Sequence, residues 1–135
     1  MEALFRKILC PVDFSRISIP ALELARKLAK QNGASVILLC VIPAASACEP
    51  DLPRFAEDNL RAVAHKWLAN EVRYDFAVRI GEPATAILAA AEELGADVIL
   101  MATHGRTGED RARLGSVTEQ VVRHSTRPVV TIRPG

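Results

Sequence analysis

Ile8-Leu9-Cys10-Pro11-Val12, then a helical stretch from Ala21, then Ser35-Val36-Ile37-Leu38-Leu39-Cys40-Val41: the chain opens with two apolar runs around one amphipathic segment. A short run without polar alternation reads as a strand buried on both faces. Between the runs, Ala21, Leu24, Ala25 and Leu28 share one helical face, and Glu23, Arg26, Lys27 and Lys30 lie opposite. Ser18 and Pro20 mark the start of that helix, and Asn32-Gly33 marks its end.

The same alternation of periods continues. Pro43 to Pro53 reads as a loop rich in Ala, Pro and Ser. Ala56, Leu60, Val63, Ala64 and Trp67 trace a second amphipathic helix. Tyr74, Phe76 and Val78 alternate with Arg73, Asp75 and Arg79, the pattern of a strand with one wet face at a sheet edge. Gly81-Glu82-Pro83 opens a third helix, with Ala84, Ile87, Leu88 and Ala91 inward and Gly95 as its stop. Val98 to Met101 is another central strand. Gly105 to Gly115 is a polar, glycine-bounded loop. Ser116-Val117-Thr118-Glu119 has the spacing of a capping box and starts a helix that runs to about Arg123. Val129 to Ile132 closes the chain as a fifth strand. Strands alternating with helices predict an α/β fold, a parallel sheet covered on both faces. Ligands of such sheets sit beyond the carboxyl ends of the strands, where strand order reverses. Asp13, Val41 to Pro43, Gly81 and Thr103 to Gly108 occupy those positions.

Composition narrows the function. The 135 residues suit one domain, 1–135, and half of them are apolar. Aromatic residues are scarce, so the core is aliphatic. Seventeen basic side chains face sixteen acidic ones, a balance that gives no sign of an electrostatic footprint for nucleic acid. The apolar runs are far shorter than the roughly 20 residues of a membrane span. Met1 to Lys7 has no signal-peptide core, and the expected location is cytoplasmic. Cys10, Cys40 and Cys48 have neither disulfide nor zinc spacing. Cys10 and Cys40 fall in apolar runs as buried thiols.

The stretch Val98 to Gly108, followed by Leu114 to Glu119, carries the chemistry: strand, glycine loop, helix start. A helix start offers backbone N–H donors and a positive dipole end, which suits phosphate. Ser116 and Thr118 add hydroxyls there. The alternative is that Ser116 caps its own helix and the glycines turn the chain.

These segments resemble the universal stress protein family over essentially the whole length. Ile8 to Ser15 is similar to the family's first strand, which ends Pro-Val-Asp-Phe-Ser. Ala102-x2-Gly105, nine residues, then Gly115-Ser116 is similar to the family's nucleotide motif G-x2-G-x9-G-[S/T], with Ala102 replacing the first glycine. Two further departures are the charged Glu109 to Arg113 and Cys40, where family members commonly have histidine. The resemblance implies a doubly wound, Rossmann-like sheet of order 3-2-1-4-5. It also implies a nucleotide-binding regulatory or stress-response module. The ligand is ATP, with ADP or AMP as alternatives, and Mg²⁺ or Mn²⁺ arrives with the nucleotide. Asp13 looks like the carboxylate that bonds the adenosine end, its alternative being a cap for the next turn alongside Ser15. Pro11, Val12 and Val41 would line the adenine slot. Met101 and Ala102 would border the ribose, and Gly105, Gly115, Ser116, Val117 and Thr118 would cradle phosphate. Arg106 could pair with phosphate through its planar fork. His104 could act as a base, although a histidine beside a loop glycine is more often structural. His65 and His124 fall on solvated helix faces. A homodimer through Val129, Val130, Thr131 and Ile132 is also implied. Competing expectations are a slow ATPase or phosphotransferase, and a dimeric interaction protein of the same fold that binds no nucleotide.

Overall fold

A computed structural model describes residues 4–13, 19–46, 48–103 and 115–133. Five strands are present: β1 (Lys7–Pro11), β2 (Ser35–Ile42), β3 (Arg73–Ile80), β4 (Val98–Ala102) and β5 (Val129–Ile132). Four α-helices connect them: α1 (Ile19–Asn32), α2 (Leu52–Trp67), α3 (Pro83–Glu93) and α4 (Ser116–His124). All strand pairs are parallel, and the order is β3-β2-β1-β4-β5. The sheet order and all nine elements agree with the sequence reading, with small shifts at the ends.

Period-two alternation sorts the strand side chains onto two faces. Ile8, Cys10, Val36, Leu38, Cys40, Val98 and Leu100 join α1 and α2 in one aliphatic cluster. Leu9, Ile37, Leu39, Ile99 and Met101 join α3 and α4 in the other. β3 and β5 form the two edges, and β3 carries the exposed Arg73 and Asp75.

Two helices stop in the same way. Gly33 and Gly95 take φ of +64° and +68°, a region where only glycine has no Cβ penalty. Beyond them, Ala34 N–H donates to Ala29 O at 2.8 Å and Ala96 N–H donates to Ala91 O at 2.9 Å. These are the bonds of a glycine-terminated helix end.

Helix starts differ from expectation. Pro53 lies in the first turn of α2 rather than in the preceding loop, because proline has no N–H to lose there. The inward arc of α1 is Ala21, Leu22, Ala25 and Ala29, with Leu24 and Leu28 half-buried. The capping box at Ser116 does not form as the spacing suggests. Gly115 is the cap residue, Ser116 is the first helical residue, and the Glu119 carboxylate accepts from Arg123 at 2.9 Å.

The N-terminus of α3 is capped by a side chain that the sequence pattern does not single out. Glu82 accepts from Thr85 N–H at 2.8 Å and from Ala84 N–H at 3.2 Å. Hydrogen bonding from the Thr85 side chain, then from these backbone donors, holds its carboxyl below the ordinary value. A carboxyl lowered in the folded state adds stability above its unfolded pKa and loses it as pH falls through the folded value. Glu82→Ala is therefore expected to lower the melting temperature at neutral pH. The gap from the parent protein should close once the pH drops below the ordinary carboxylate range. Thermal unfolding followed by circular dichroism at a series of pH values checks this.

Candidate functional site

β1 pairs with β4 only at Ile8–Val98 and Leu9–Ile99. Beyond these pairs the two strands part. β1 leads through α1 to β2 on one side, and β4 leads to β5 on the other, so strand order reverses here. Pro11 contributes to the parting because it has no N–H to offer a neighbour. Val12 N–H donates instead toward β2, to Leu39 O at 2.8 Å.

A cavity of about 440 Å³ opens at this reversal. The strand ends supply Pro11, Val12, Asp13, Val41, Met101 and Ala102. Val117, one residue into α4, closes one side together with Pro83 and Ile87 of α3. On the other face of the sheet the walls are Ala21 and Leu22 of α1 and Leu52, Phe55 and Ala56 of α2. Cys10, Cys40, Pro43 and Ser46 complete them. Seven of the residues singled out in the sequence thus share one cavity: Pro11, Val12, Asp13, Val41, Met101, Ala102 and Val117.

Gly115, Ser116 and Thr118 flank Val117 at the start of α4. The first intrahelical bond runs from Glu119 N–H to Gly115 O at 2.8 Å. The N–H groups of Ser116, Val117 and Thr118 precede that ladder, as at every helix start. Ser116 is exposed. Thr118 is fully buried, and its hydroxyl donates to Ala102 O at 3.4 Å. Its hydroxyl is therefore engaged within the fold, against the expectation that it adds a donor at the helix start. Gly115 has φ of −61° and ψ of 158°, open to any residue, so the backbone there does not itself require glycine. Gly105, Arg106 and His104 lie outside the described residues, as do Ser15 and the charged stretch 109–113.

The departure at position 102 has a defined place. Ala102 packs with the α1/α2 cluster, whereas Val117 packs with the α3/α4 cluster. The methyl thus sits on the α1/α2 side of the sheet, away from the start of α4.

Cys10 and Cys40 are buried, Cys48 is exposed, and His65 and His124 are exposed, as the sequence suggested for all but Cys48. Burial pushes the Cys10 thiol up to about 12. Burial, then the charge of Asp13, raises the Cys40 thiol as well. Among the described residues no group of three His, Cys, Asp or Glu could hold a metal ion. No helix among them is long and apolar enough to cross a membrane.

The sequence reading located the strand-end residues of the cavity and Val117 of α4, but not the walls from α1, α2 and α3. Phe55 carried the one available signal: an aromatic residue outside the buried stripe of Ala56, Leu60 and Ala64.

The family model of the universal stress protein family matches residues 4–133. The chain belongs to that family. Universal stress protein MJ0531 of Methanocaldococcus jannaschii is 33% identical, over 98% of this chain and 84% of that protein. The solved structure of MJ0577, a universal stress protein of the same organism, superposes with a TM-score of 0.83 at 28% identity and covers 98% of both chains. A universal stress protein solved in complex with cAMP superposes with a TM-score of 0.72 at 26% identity, covering 99% of this chain and 100% of its own.

The thiols give a direct check of the cavity wall. A protonated thiol is a poor nucleophile, and only the thiolate attacks. In native protein at neutral pH, Cys48 alone is expected to react rapidly with an aromatic disulfide reagent. Cys10 and Cys40 should follow only after denaturation, as read by absorbance and by mass of labelled peptides.

Proposed function

We propose that this universal stress protein binds an adenine nucleotide, ATP in the first instance, in the cavity where β1 and β4 part. The observation that carries the reading is the cavity itself. It joins an apolar slot at the strand ends to the start of α4. A nucleotide needs both: apolar and backbone groups around the base, and backbone N–H groups with a positive dipole end for the phosphates. Asp13 stands exposed at the rim, where a carboxylate can accept from ribose hydroxyls. Ser116 stands exposed at the helix start, with its hydroxyl available to a phosphate oxygen. Gly105 and Arg106 are assigned to the same phosphate end. The cAMP complex of the family member described above supports an adenine nucleotide as the ligand class. Mg²⁺ or Mn²⁺ is assigned to the nucleotide: the triphosphate and water satisfy its preference for oxygen ligands.

Isothermal titration with ATP and Mg²⁺ tests the reading. Binding with Kd on the order of micromolar, lost in Gly115→Val, is the expected result. Absence of heat with ATP, ADP and AMP overturns it and leaves a dimeric interaction protein of the same fold.

The protein is further proposed to act as a regulatory stress-response module in a cytoplasmic homodimer built on β5. This edge is the apolar one: Val129, Val130 and Ile132 are half-buried, whereas β3 carries charges that discourage pairing. Ile99 N–H donates to Pro128 O and Thr103 N–H to Ile132 O, so alternate residues of β5 bond inward. Val129 and Thr131 then turn their backbone groups to the open side. Thr131→Pro removes one outward N–H and leaves the β4 ladder intact. The variant is expected to keep its circular dichroism spectrum and to sediment as a monomer where the parent sediments as a dimer.

A further inference from the structure

Phe55 is 62% exposed, although its side chain lines the cavity. It stands at the end of the first turn of α2, next to the buried Ala56. The residues that α1 and α2 contribute to the cavity besides Phe55 are all apolar: Ala21, Leu22, Leu52 and Ala56. An aromatic ring left largely in water beside a cavity loses that exposure when the cavity is filled, and burial of apolar area is favourable.

The position of Phe55 selects which part of a ligand it meets. The start of α4 lies with the α3/α4 face, and α2 lies with the α1/α2 face. A nucleotide with its phosphates at the start of α4 points its other end across the strand tips toward α2. The polar ribose has no match among Leu22, Leu52 and Phe55. A flat, apolar-faced base does.

We infer that Phe55 is a stacking platform for the nucleobase, a binding residue contributed by α2 and additional to the strand-end slot. The inference rests on the nucleotide reading above and specifies its base-recognition end. Stacking on an aromatic side chain tolerates any base, because each has a π-face. Phe55 therefore sets affinity for the base as a class, while backbone groups of the strand-end slot distinguish one base from another.

Isothermal titration of parent protein and Phe55→Ala with two probes, ATP–Mg²⁺ and inorganic triphosphate, tests this. The expected result is ATP binding on the order of tenfold weaker in the variant, the usual scale for one lost stack, with triphosphate binding unchanged. Phe55→Trp provides a second readout. It should retain ATP binding, and ATP should quench its added emission beyond any change in the parent, whose single indole is Trp67. Parent-like ATP affinity in Phe55→Ala overturns the stacking role and leaves the nucleotide reading intact. So does an equal weakening of both probes, which would mean that the whole site had shifted. A parent protein that binds no adenine nucleotide overturns both.

Discussion

The structure turns on two residue pairs, Ile8–Val98 and Leu9–Ile99, the whole of the contact ladder between β1 and β4. They are the seam between the two halves of the sheet. Because β1 and β4 join there and then part, the chain leaves one strand to the left and the other to the right. A crevice at their carboxyl ends is the geometric result, as in other sheets of this class. The seam also sets the layer assignment. Right-handed crossovers on either side of it put α1 and α2 on one face and α3 and α4 on the other.

The amino ends of the same strands are closed by specific bonds. The Asp97 carboxylate accepts from Arg6 N–H at 2.8 Å and Lys7 N–H at 3.0 Å, and Lys7 reaches the Leu94 carbonyl at 3.2 Å. Arg127 Nε donates to Ala96 O at 2.6 Å. One end of the sheet is thus fastened by side chains that cross between elements. The other is lined by loops and helix starts around a cavity. Rigid below and open above is an arrangement that lets a binding surface vary without disturbing the frame.

The fold was legible because burial on both faces leaves an unmistakable mark. Val36 to Leu39 and Val98 to Leu100 are apolar at every position, and only a parallel sheet between helices makes that economical. Helix ends were legible where glycine supplies a positive φ, at Gly33 and Gly95. They were less so where the cap is an unusual one. Gly81-Glu82-Pro83 marked where α3 opens, but glutamate is not among the preferred N-cap residues, so the Glu82 side-chain cap gave no signal. Ser116 offered an attractive pattern one residue past the true cap at Gly115. The site divides in the same manner. Asp13 and Val41 follow from a rule about strand ends, which needs only the strand positions, whereas Pro11, Val12, Met101 and Ala102 came with the resemblance to the family's motifs. Leu22, Leu52, Phe55 and Pro83 reach the cavity through packing across the sheet, and no local pattern encodes that approach.

The bond from Arg6 to Asp97 spans 91 positions of sequence, and that separation governs how the protein can be made. During synthesis the central strand β1 emerges first, but its partner β4 follows only after α3. A β1–β2–β3 half-sheet can assemble while one edge of β1 waits, with Ile8 and Leu9 unpaired on the side that β4 will take. Contacts of such long range slow folding, because the loop must close before they contribute. The seam can close, and the crevice beyond it take shape, only after β1, β2, β3 and α3 have all emerged.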